Sequence, residues 1–179
     1  MDRVIVLAWE KVSLVIPEKR DLDVMYKEIN NYNLSRFMWP VKFYTKEKEE
    51  NYLNSVLTWD KRFFIIVDNS TWNTIWWIWF NEYSDLNRNW EIWFMLYWDE
   101  NIWKWFGTEA LELFLKYAFD ILWYHKVKLW VYANNPRAIR VYEKYWFKTV
   151  WVFKDEAYIM WEYVDSIKME IMRNEWKGE

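Results

Sequence analysis

Cysteine is absent from these 179 residues, which excludes both a disulfide framework and a thiolate metal site. Histidine occurs once, at His125, so no two imidazoles can share a metal, and His125 reads as structural. No uncharged apolar run approaches the ~20 residues that cross a bilayer. The opening MDRVIVLAWEK is too short and wrongly flanked for a secretory signal. The expectation is a cytoplasmic protein with no membrane partner. Neither sign of charge dominates: 24 Lys+Arg stand against 27 Asp+Glu, a formal net charge of −3. That balance leaves no basic patch to argue for nucleic acid, and KEKEE at 46–50 reads as a solvated helix face. Glycine is the least expected scarcity. The chain has 2, although a domain ordinarily carries roughly 7%.

Tryptophan fills the composition instead, with 18 residues, inside a hydrophobic content of 54%. A chain of this length and composition folds as one domain, 1–179, with a sizeable core. Several tryptophans stand where turn chemistry asks for glycine. Trp72 lies in the polar cluster DNSTWNT. Trp59 and Trp123 each follow a helix-like run, where glycine usually ends the helix. Asn89-Trp90 separates two strand-like runs, in the place of the Asn-Gly hairpin signal.

Periodicity predicts the elements. KVSLVIP (11–17) alternates as a strand, and Asp21 is placed to cap a helix reaching about Asn31. An aromatic connector covers 32–44, and Thr45 is placed to cap a second helix to about Leu57. Strands are predicted at 62–68, 74–83, 91–98, 126–132, 147–155 and 166–173. A helix over 108–122 buries Leu111, Phe114, Leu115, Ala118 and Phe119 at helical spacing. Pro136 opens a last helix running to about Tyr145, at a position where its missing N–H costs nothing. The order is β-α-α-β-β-β-α-β-α-β-β.

With ANNPRAIRVYEKYWF at 133–147, this order resembles the GNAT superfamily of acetyl-CoA-dependent N-acetyltransferases. It is similar to the branch of ribosomal-protein N-terminal acetyltransferases and their polyamine- and antibiotic-modifying relatives. Asn135, Ala138, Tyr142 and Phe147 match the family's pattern, and Trp146 stands at its glycine. The segment 102–107 matches the pyrophosphate loop, with Ile102 at the basic or amide position, Trp105 at the first glycine and Gly107 at the last. Trp76, Trp77, Trp79, Trp93 and Trp98 also fall where relatives often have glycine. Tryptophan has thus taken glycine's places in a family sequence, by substitution, engineering or altered decoding.

The resemblance implies an α/β (α+β) GNAT fold. It has a mixed, mostly antiparallel sheet of about seven strands, splayed between strands 91–98 and 126–132 and flanked by about four helices. It implies transfer of acetyl from acetyl-CoA to a primary amine, by direct attack in a ternary complex and without metal. Tyr142 would be the general acid for the leaving thiolate, and Glu91 the base, through water. Trp103, Lys104, Trp105, Phe106, Gly107 and Thr108 would hold the pyrophosphate, chiefly by backbone N–H groups at a helix start. Met95 and Leu96 would bond the pantetheine arm, and Asn135 would bind near the thiol. Arg36, Phe37 and Tyr44 would shape the acceptor site. Family members commonly dimerise, so a homodimer is expected.

Bland readings stand beside these roles. Tyr142 also has the spacing of a packing residue, Asn135 suits a helix cap, Glu91 suits a solvated strand end, and Lys104 suits a loop charge. The competing function is a catalytically silent domain of this fold that binds a ligand or partner through aromatic surface, because tryptophan crowds the cofactor loop.

Overall fold

The computed structural model describes residues 3–32, 43–58, 62–95 and 106–178. Among them, eight strands form one sheet: β1 (Ile5–Ala8), β2 (Val12–Val15), β3 (Phe63–Asp68), β4 (Thr74–Ser84), β5 (Asn89–Met95), β6 (Lys126–Tyr132), β7 (Lys148–Ile159) and β8 (Glu162–Met172). Their spatial order is β1-β2-β3-β4-β5-β6-β8-β7. Every neighbouring pair is antiparallel except β5–β6, which is parallel. Among the described residues, four α-helices accompany the sheet: α1 (Leu22–Ile29), α2 (Lys46–Thr58), α3 (Phe106–Lys116) and α4 (Pro136–Lys144). The mixed α/β fold expected from the resemblance is the one observed, with one strand more than expected.

Strand alternation sorts the core onto two faces. One face carries Phe64, Ile66, Trp76, Ile78, Trp90, Ile92, Val127, Leu129, Met169 and Ile171, covered by α3 and α4 through Leu111, Phe114, Ala138 and Tyr142. The opposite face carries Val15, Phe63, Ile65, Val67 and Trp77, covered by α1 and α2 through Met25, Leu53 and Val56. Burial of this order, at roughly 25 cal/mol per Å² of apolar surface, is what holds the helices on the sheet.

Polar ties fix where the helices begin. Thr45 Oγ1 accepts the Lys48 N–H at 3.2 Å, as expected for the cap of α2. Asp21 precedes α1 as expected, yet its carboxylate makes no cap bond there. It accepts instead from Arg3 Nη2 at 2.7 Å, Thr74 Oγ1 at 2.8 Å and the Glu18 N–H at 2.8 Å. A buried carboxylate goes to the partner that neutralises it, and the arginine is the stronger one.

The structure corrects four further expectations. β1 is a strand of only four residues, too short for periodicity to declare. The Asn89-Trp90 pair is not the turn between β4 and β5. Residues 85–88 turn there, Asn89 pairs with Ser84, and Trp90 is fully buried among Phe114, Tyr117 and Tyr124. Burial of a large ring outweighs the local turn preference. The predicted helix 108–122 starts two residues earlier, at Phe106, and becomes a π-helix over Tyr117–Ile121. β7 and β8 extend past their predicted ends until only Met160 and Trp161 separate them.

Among the described residues, seven non-glycine residues have left-handed backbone: Trp72, Arg88, Trp123, Trp146, Asp155, Met160 and Trp161. Four of them are tryptophan.

Candidate active site

The sheet opens between β5 and β6. The two strands pair in parallel from Asn89↔Lys126 to Ile92↔Leu129, and pairing stops there. β5 continues to Met95 along β4, where Trp77 faces Met95, and β6 continues to Tyr132 along β8, where Ser166 faces Tyr132. The β5 edge at 93–95 therefore turns backbone groups toward a gap rather than toward a strand. A buried edge of this kind requires hydrogen-bonding partners from elsewhere. Met95 belongs to that edge. Leu96, Trp103, Lys104 and Trp105 lie outside the described residues, as do Arg36 and Phe37.

α3 follows the loop. Phe106, Gly107 and Thr108 form its first turn, all half-buried, and Gly107 has ordinary helical backbone rather than a positive φ. The first-turn N–H groups of a helix have no intrahelical acceptor, and the helix dipole adds positive potential at the same end. This end can hold a phosphate.

α4 flanks the other side of the gap. Asn135 is its N-cap, and its Oδ1 accepts the Ala138 N–H at 3.1 Å. The capping role expected of Asn135 is present, and the side-chain amide group remains available to a ligand. Tyr142 lies two turns on, buried, with its ring 5.8 Å from that of Phe147. Burial pushes its hydroxyl well above the ordinary tyrosine range, so it holds its proton at neutral pH. The packing reading of Tyr142 is the one its surroundings show.

Glu91 is buried on β5 and reaches Lys168 Nζ of β8 at 3.2 Å. The same ammonium lies 4.5 Å from the centre of the Trp130 ring. Glu91 alternates with Trp90 and Ile92, so it occupies the sheet face opposite Tyr142. Glu91 is thus not the solvated strand end of the bland reading. Lys168 escaped sequence reasoning, although its alternation in SIKMEIM places it beside β6.

Tyr44 is half-buried after the connector. Its backbone N–H donates to Asn30 Oδ1 at 2.7 Å, its carbonyl accepts from Asn30 Nδ2 at 3.1 Å, and Lys48 Nζ sits 4.5 Å from its ring centre. These contacts pin the connector's end to α1. Among the described residues, no three or more His, Asp or Glu side chains gather to hold a metal, and no helix is long and apolar enough to cross a membrane.

Known proteins share this arrangement. The acetyltransferase (GNAT) domain profile matches residues 11–148. The spermidine N(1)-acetyltransferase of Vibrio cholerae serotype O1 is 24% identical over 159 residues, covering 89% of this chain and 91% of that protein. The crystal structure of spermidine N-acetyltransferase from Vibrio cholerae, in complex with CoA and spermine, superposes with a TM-score of 0.82 at 25% identity, covering 92% of this chain and 96% of that one. A GNAT-family acetyltransferase from Bacillus anthracis gives a TM-score of 0.78 at 19% identity, covering 94% and 98%.

Proposed function

The chain belongs to the acetyltransferase (GNAT) domain family and moves an acetyl group from acetyl-CoA to an amine; on that premise, we propose that its acceptor is a polyamine of the spermidine class. The reading of a silent binding module finds no support in these likenesses. One observation carries the choice of acceptor: the full-length similarity to a spermidine acetyltransferase.

In this proposal the donor lies along the gap. The first turn of α3, Phe106, Gly107 and Thr108, holds the pyrophosphate, with the preceding 103–105 beside it. The edge of β5 at Met95 and Leu96 bonds the pantetheine amides. The Asn135 amide group meets the arm near its sulfur. Arg36, Phe37 and Tyr44 border the acceptor.

The acceptor nitrogen must be neutral to attack. Glu91, through water, takes the ammonium proton, and Lys168 keeps the carboxylate oriented. The amine nitrogen then bonds to the thioester carbonyl carbon. As the carbon–sulfur bond breaks, Tyr142 gives its hydroxyl proton to the departing thiolate, and the nitrogen's remaining extra proton leaves through water to restore the tyrosine hydroxyl. Positioning supplies much of the rate, because both reactants are fixed in one slot. Cytoplasmic residence and a homodimer belong to the same reading, the latter checked by light scattering on the purified protein.

The deciding test is an acceptor screen with saturating acetyl-CoA. Spermidine and spermine should be acetylated with the highest kcat/KM. Turnover confined to peptide N-termini or aminoglycosides would reject the polyamine and leave the transferase standing.

A further inference from the structure

Glu109 stands in the first turn of α3 and is buried. Its carboxylate turns away from the helix end and reaches the β1–β2 turn. Oε1 accepts the Lys11 N–H at 2.6 Å and the Val12 N–H at 3.3 Å. Two backbone donors on one ionised acceptor make a strong, directional tie. They also occupy the negative charge, which would otherwise lie close to a bound pyrophosphate.

We propose that Glu109 is a positioning residue for the acetyl donor: it sets the start of α3 against β2 so that the first-turn N–H groups meet the pyrophosphate. This rests on the reading that α3 holds that group. Glu109→Ala should raise the KM for acetyl-CoA about tenfold, the scale expected when a binding group is displaced by a fraction of an ångström. The kcat and the KM for the amine should stay within about twofold. Glu109→Gln should restore the donor KM, because its amide oxygen accepts the same two N–H groups. Thermal melts confirm that both variants are folded. Calorimetry of the unaltered protein separates the two claims. If it fails to bind CoA, the reading of α3 falls. If it binds CoA and Glu109→Ala binds equally well, Glu109 is not a positioning residue. A Gln variant as impaired as the Ala variant would also overturn the proposal.

A separate observation carries a second inference. Tryptophan makes up 18 of 179 residues, yet it supplies four of the seven left-handed non-glycine positions. Bulky residues there are outliers, and glycine is at home there. Each of the four sits in a motif that calls for glycine. Trp146 (φ 63°) follows α4 in a Schellman ending, with its N–H donating to the Glu143 carbonyl at 3.0 Å and the Phe147 N–H donating to the Tyr142 carbonyl at 3.0 Å. Trp123 (φ 57°) ends the π-helix similarly, the Tyr124 N–H donating to the Ala118 carbonyl at 2.9 Å. Trp161 (φ 70°) is the second residue of a two-residue hairpin turn between the paired Ile159 and Glu162. Trp72 (φ 59°) closes the turn after β3. None of the four side chains is buried: Trp161 is 88% exposed, while Trp123 lies under Arg173 and Trp146 edge-on to Tyr145 and Trp176. Trp76 adds a different sign: it is buried, and its indole N–H has no acceptor among the described residues.

We infer that Trp72, Trp123, Trp146 and Trp161 are glycine in the polypeptide its own cell makes, their codons being read as glycine. Mass spectrometry of the tryptic peptide Asp155–Lys168 from those cells should give the mass with glycine at 161. The tryptophan mass would overturn the inference. A recombinant chain carrying Trp→Gly at all four positions should melt roughly 10 °C above the tryptophan chain, as expected for relief of four left-handed strains. An equal or lower Tm would count against it.

Discussion

At the residue scale, Tyr142 and Asn135 hold structural places, a packed ring and a helix cap, beside the chemistry proposed for them. Tyr142→Phe keeps the ring and removes only the proton, so stability should hardly change. Its kcat should fall about 10²- to 10⁴-fold, while the acetyl-CoA KM stays nearly constant, as steady-state kinetics would show. An unchanged kcat would return Tyr142 to pure packing. Asn135→Ala loses a cap worth about 1 kcal/mol, and Tm should drop by about 2–4 °C in a thermal melt. Both residues were legible in the sequence, because Asn-Pro-Arg-Ala fixes a helix start and the tyrosine follows two turns later. The pairing of Glu91 with Lys168 was not, since it joins strands far apart in sequence. Trp90 misled for the opposite reason. Its local context says turn, while its burial against Phe114 and Tyr124 says core.

At the element scale, α2 carries a buried acid that its sequence disguises as one more charge of a solvated face. Glu49 is buried with Leu53 and Val56, and desolvation raises its pKa above the ordinary 4.5. The unfolded chain therefore releases this proton first as pH rises. Glu49 costs stability from about its unfolded pKa upward, and that cost is complete above its folded pKa. Glu49→Gln should raise Tm at pH 7, and the difference should vanish in acid; melts of both proteins across pH 3–7 would show it. Helix α3 was legible to within two residues from its apolar period. Its π-helical ending was not, because a helix of any pitch ends on the same kinds of residue. The short β1 was equally hidden. It exists because β2 offers it an edge, which is a tertiary fact.

At the scale of the whole molecule, buried phenols set an alkaline limit. Burial pushes Tyr52 up to about 12 and Tyr142 higher still. Above pH 10 the unfolded chain ionises these groups while the folded one does not, so stability falls with rising pH. Tm should decline from about pH 10, and less steeply in Tyr52→Phe. The mixed, mostly antiparallel sheet and the place of the splay came through from element order and resemblance, since both follow from topology rather than from individual contacts. The splay would also tie the protein's lifetime to metabolism. Among the described strands, the β5–β6 ladder stops at Ile92 and Leu129. On the proposed binding mode, a thioester whose amide arm continued that ladder would act as a ninth strand. A hundredfold excess of such a ligand over its Kd adds about 2.7 kcal/mol to folding stability. In a cell short of acetyl donor, this protein would be among those that proteases remove first, and its abundance would follow the supply of its own substrate.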